Sequence, residues 1–109
     1  MTFKTKYGTY PNCEFVTGHY GNGNLALQVV SNDEGPVTTC TVNPGEVVPP
    51  NAIAVKNYSE NDGMVNTLKE MGIIGRELYS IPSGWVEIPV FELTEKGLEL
   101  FKDELNKVK

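Results

Sequence analysis

Three side chains in this sequence can begin nucleophilic or metal chemistry: Cys13, His19 and Cys40. A cysteine nucleophile needs a thiolate activated by a nearby base, and His19 is the only histidine. Cys13 and His19 lie six residues apart in a β-prone run. Strand geometry then puts them on one face but about 20 Å apart. Cys40 can meet His19 only through cross-strand pairing, which spacing does not fix. Zinc takes three or four nitrogen or sulfur ligands, and the chain holds three in all. The spacing favours a buried Cys40, a surface His19, no catalytic set, no metal and no cofactor. A small hydrolase-like enzyme using Cys13 or Cys40 with His19 is the alternative reading.

The other polar clusters have structural explanations of their own. Gly18-His19-Tyr20-Gly21-Asn22-Gly23 is glycine-rich, yet it lacks the following helix and the Lys-Ser/Thr ending that phosphate cradling needs. Its Asn-Gly pair between β-prone runs reads as a hairpin turn. Glu60 and Asp62 stand where a helix begins, and acids there complement the helix dipole. Tyr7, Tyr10 and Tyr20 read as sheet-surface rings. Trp85, beside Gly84, reads equally as a core ring or an interface anchor.

The elements that must position these groups follow from periodicity and punctuation. Phe3 to Tyr10 reads as an edge strand or arm, and Glu14–Tyr20 with Leu25–Val30 as a hairpin. Pro36–Val42 is a third strand, after which Val47-Val48-Pro49-Pro50-Asn51 crosses as a stiff extended link. Ala52–Lys56 is a fourth, with Ile53 and Val55 on one face. Ser59 is the expected N-cap of a helix, with Asp62 completing a weak capping box. Met64, Val65, Leu68 and Met71 give that helix an apolar stripe, and Gly72 stops it.

Arg76–Ile81 and Trp85–Leu93 form a last hairpin, in which Pro89 implies a sheet edge or bulge. Thr94 caps a C-terminal helix over 94–109, whose apolar face is Leu98, Phe101, Leu105 and Val108 and whose surface carries an Asp103–Lys107 pair. The expected fold is α+β: one domain over 1–109, with an antiparallel sheet of about five or six strands, one inserted helix and one C-terminal helix.

Composition narrows the function classes. The chain has 109 residues and a net charge of −5, with nine Lys and Arg. That balance argues against direct nucleic-acid binding, which needs clustered basic residues. No apolar run reaches the roughly 18 residues of a membrane span, and no apolar h-region follows the N-terminus. The expected compartment is cytoplasmic, where Cys13 and Cys40 are free thiols.

A further expectation comes from likeness. The motifs are Tyr20-Gly21-Asn22-Gly23-Asn24-Leu25-Ala26-Leu27, Thr41-Val42-Asn43, Val55-Lys56-Asn57-Tyr58-Ser59-Glu60-Asn61-Asp62-Gly63, Met71-Gly72-Ile73-Ile74 and Ser83-Gly84-Trp85-Val86-Glu87-Ile88-Pro89-Val90. In this order they resemble an uncharacterised small domain family carried by phages, plasmids and conjugative elements of Gram-positive and gut bacteria. The likeness covers about residues 20–93 and leaves 94–109 as an extension. It implies an accessory protein of a mobile element and supplies no activity or catalytic residues. By context alone, it points to inhibition of a host defence protein.

The resulting expectation is a non-enzymatic protein-binding module whose partner is a host protein. Tyr58, Glu60, Asn61, Asp62 and Trp85 are its candidate contact residues. A sheet edge near Pro89 offers strand addition as a second route, or pairing into a homodimer.

Overall fold

Hairpins joined by glycine turns dominate the computed structural model, which describes residues 1–107; the side chains of Glu60 and Lys107 are not among the parts described. The class is α+β, as the periodicity predicts, but the strands divide among three small antiparallel sheets. The residues expected as an N-terminal arm fold back on themselves as β1 (Phe3–Thr5) and β2 (Gly8–Tyr10). A meander follows, of β3 (Cys13–His19), β4 (Leu25–Ser31) and β5 (Gly35–Thr39). The third sheet has the order β6-β8-β7, from β6 (Ala52–Ala54), β7 (Ile74–Ser83) and β8 (Val86–Leu93).

One bridge, Thr41 with Val55, ties the meander to the third sheet. The expected continuous sheet narrows to that point because β5 stops at Thr39 and β6 is three residues long. A short helix, α1 (Met64–Glu70), follows β6, and Gly72 ends it in the left-handed region at φ 77°. The C-terminal segment is two helices, α2 (Glu95–Leu100) and α3 (Lys102–Lys107), where one was expected. The break at Phe101 drops that ring to full burial, worth about 2 kcal/mol or more of apolar transfer. Val108 and the Lys107 side chain, and with it the expected Asp103–Lys107 pair, lie outside the described residues.

Alternation along the short strands creates two cores. Ile53 and Val55 face the main one, with Leu27, Val29, Leu68, Phe91 and Phe101, under the helices. Ala52 and Ala54 face a smaller one with Val48, Ile81, Ile88 and Val90 on the opposite side of the third sheet. The proline-rich link covers this second core, and Asn24 holds it there. The Asn24 Nδ2 donates to the Glu46 carbonyl at 2.8 Å, and its Oδ1 accepts from the Val48 N–H at 3.0 Å.

Two expectations about punctuation are corrected. Pro89 lies on β8, the central strand, and not at an edge. Its carbonyl accepts from Val55 N–H at 2.9 Å, so its missing donor faces the same side, just past the last residue of β6. Ser59 does not cap α1. Gly63 occupies that position without a side-chain bond, and the Val65 N–H is taken by Asn57 Oδ1 at 2.9 Å. The Thr94 cap is observed, accepting from Gly97 N–H at 3.1 Å.

Candidate interaction surface

The corner from Asn57 to Gly63 is built by a reversal of backbone hand. Tyr58 is extended, Ser59–Asn61 is a single 3-10 turn, and Ser59 holds φ at 58°. A non-glycine residue there costs about 1 kcal/mol or more, so the surroundings must hold the turn in place. Asn61 does so. It is buried at 3% exposure, its Oδ1 accepts from Thr38 Oγ1 at 2.6 Å, and its Nδ2 donates to the Thr39 carbonyl at 2.6 Å. Both ends of the amide are thus committed to the end of β5.

Asp62 is exposed and pairs with Lys6 Nζ at 2.7 Å, which carries the corner onto the turn of the first hairpin. The hydrogen bond and charge of Asp62 raise the Lys6 pKa above the ordinary lysine value. Tyr58 is half-buried against the second core, with Lys56 Nζ 5.7 Å from its ring centroid. The Glu60 side chain lies outside the described residues. A groove of about 240 Å³ beside the corner is lined by Thr5, Tyr7, Tyr10, Val37, Thr38 and Asn61.

Trp85 belongs to different surroundings. Ser83 pairs with Val86 across a two-residue turn, and Gly84 at φ 60° supplies the positive torsion the turn requires. Trp85 sits in that turn, one residue before the strand that was expected to begin with it, and its side chain is fully exposed at 104%. Tyr79 on β7 is a second exposed ring, at 40%. The five expected contact residues therefore divide between two elements. Trp85 stands free on the β7–β8 hairpin, while Tyr58, Asn61 and Asp62 have partners within the corner and its surroundings.

The thiols and the imidazole are separated by the register. Cys13 pairs with Ser31 and His19 with Leu25, at opposite ends of β3. Cys13 donates its Sγ–H to the Tyr10 carbonyl at 3.2 Å. Cys40 is fully buried, and desolvation pushes its thiol up to about 12, so it holds its proton at neutral pH. Both cysteines are free.

His19, expected at the surface, is mostly covered. Its Nδ1 lies 2.9 Å from Glu104 Oε2, and its Nε2 is buried without a hydrogen-bond partner. This link holds α3 against β3, and spacing did not reveal it. The only hint is that Glu104 follows the core residue Phe101 by three, which places both on neighbouring faces of a helix. Among the described residues no group of three or more His, Cys, Asp or Glu side chains could hold a metal. No described helix is long and apolar enough to cross a membrane.

No protein-family model, no curated protein and no solved structure matches the chain. The resemblance along 20–93 therefore rests on its motifs alone.

Proposed function

We propose that this protein is a non-enzymatic binding module that docks on another protein through the β7–β8 hairpin, with Trp85 as its anchor. The observation that carries the reading is an indole left wholly in water on a turn tightly closed by its own ladder. Tryptophan is on average among the better-buried residues, and it is enriched where interfaces concentrate their binding energy. A hairpin tip offers it on a pre-ordered backbone, which reduces the ordering cost of association.

The acidic corner is the secondary contact. Of its side chains Asp62 is exposed but paired, Tyr58 is half-covered and Asn61 is internal. The resemblance to mobile-element accessory proteins adds the class of partner, a host protein whose action the module blocks. The thiol–histidine alternative is less favoured, since Cys40 is held as the neutral thiol and the His19 Nδ1 is taken by Glu104.

The test is affinity capture from host lysate with the wild type, Trp85→Ala and a Glu60→Lys/Asp62→Lys variant. The expected result is a protein retained by the wild type, lost with Trp85→Ala and at most weakened by the charge reversal. Equal retention by wild type and Trp85→Ala, or retention of nothing by the wild type, overturns the reading.

A further inference from the structure

We propose that Asn22 is a site of spontaneous deamidation and that its conversion loosens the proline-rich link over the second core. Asn22-Gly23 is the only Asn-Gly pair in the chain, and both residues are exposed in the turn between β3 and β4. Nothing stands within 4 Å of the position a Gly23 side chain would take, so neighbouring atoms leave ring closure unhindered. The Asn22 Oδ1 accepts from the Asn24 N–H at 3.2 Å, as in an Asx turn. That bond folds the side-chain amide over the Gly23 peptide and draws electron density from Cγ, the atom to be attacked. The Gly23 N–H donates to the Tyr20 carbonyl at 2.9 Å, so the reaction waits on local opening of the turn and runs more slowly than in the unfolded chain.

In the reaction the Gly23 nitrogen gives up its proton and bonds to Asn22 Cγ. The Cγ–Nδ2 bond breaks, and ammonia leaves with that proton. Water then opens the cyclic imide to aspartate or isoaspartate. Either product disturbs the link. Asn43 Oδ1 accepts from Asn22 Nδ2 at 3.1 Å, from Asn24 Nδ2 at 3.2 Å and from the Gly45 N–H at 3.3 Å. A carboxylate at position 22 replaces the first donor by an acceptor. Asn43 cannot rotate its amide to answer it without setting its own NH2 against the other two donors. Isoaspartate also adds a methylene to the backbone just ahead of Asn24, whose buried amide holds Glu46 and Val48. This site is separate from the hairpin proposed to dock on protein.

Incubation of the full chain at neutral and mildly alkaline pH, sampled by peptide mass mapping, tests the site. The chain unfolded in urea and the folded Asn22→Gln variant are incubated alongside; glutamine keeps a carboxamide but closes the imide ring far more slowly. The expected result is conversion of amide to acid at Asn22 before any other asparagine of the folded chain. It should be faster at the higher pH, faster still in urea, and absent at this position in Asn22→Gln. In the converted protein, hydrogen exchange of the Val48 amide should speed up by about fivefold or more, the worth of one hydrogen bond. Asn22→Gln incubated in the same way should show no such change. Conversion of another asparagine before Asn22 in the folded chain overturns the proposal, as does no conversion there at all or unchanged Val48 exchange in the converted protein.

Discussion

The corner at Asn57–Gly63 and the hairpin turn at Ser83–Val86 each reverse the chain and each use a glycine at positive φ, yet their side chains have opposite fates. In the corner, Asn57 bonds the first turn of α1, Asn61 bonds β5, and Asp62 bonds Lys6. At the hairpin the turn is closed by the Ser83–Val86 pair, and Trp85 has no internal task. A polar cluster in a sequence thus marks where an irregular backbone must satisfy its own donors and acceptors. A large apolar side chain in a two-residue turn cannot be used that way, and it is the better sign of a contact surface.

Substitutions can break or sharpen that contrast, and Asn61→Ala should have the largest effect. It strips the Thr39 carbonyl and the Thr38 hydroxyl of their partner, empties a buried position and removes what holds Ser59 at positive φ. We expect a loss of about 2–3 kcal/mol in urea unfolding. A loss below about 0.5 kcal/mol would make the corner available as a contact surface and dissolve the contrast. Asn57→Ala should cost about 1 kcal/mol, as loss of a helix cap does, with lower helical ellipticity as a second readout.

Trp85→Ala should change unfolding free energy by no more than about 0.5 kcal/mol while abolishing capture of the partner. A clear destabilisation would show that the indole packs internally. Asp62→Asn should have the smallest effect, with the unfolding midpoint indistinguishable from wild type at high salt, since exposed pairs are screened there. A shift that persists in salt would give the Lys6–Asp62 link a structural weight it lacks in this account.

Much of the framework was legible from local rules. The Asn-Gly hairpin, the apolar stripe of α1 with its Gly72 stop and the Thr94 cap all depend on residues within a turn or two of each other. The misreadings involve partners far apart in sequence. Ser59 has the composition of an N-cap, but Asn57, earlier in the chain and outside the local capping pattern, supplies the bond. Pro89 reads as an edge or bulge residue because a missing donor belongs at one of these; it is not at an edge but on a central strand beyond the end of short β6, next to a register shift between Glu77 and Tyr79. Asn24 reads as turn punctuation and in fact pins a loop some twenty residues away. Among the candidate contacts, Tyr58, Asn61 and Asp62 were singled out for polarity and position, and only coordinates could show what each was bonded to. Trp85 was singled out without a decision between core and interface, because a lone tryptophan beside a glycine suits both.

The central claim is that Trp85 is the residue the partner covers, and the chain helps by having a single tryptophan. Its fluorescence in the captured complex, selectively labelled by tryptophan analogue incorporation and titrated with acrylamide, reads this directly. The free protein should show solvent-like emission and ready quenching. In the complex we predict a blue shift and strong protection from quencher. Emission and quenching unchanged between the free protein and the complex would contradict the account and move the search for the contact surface away from the β7–β8 hairpin.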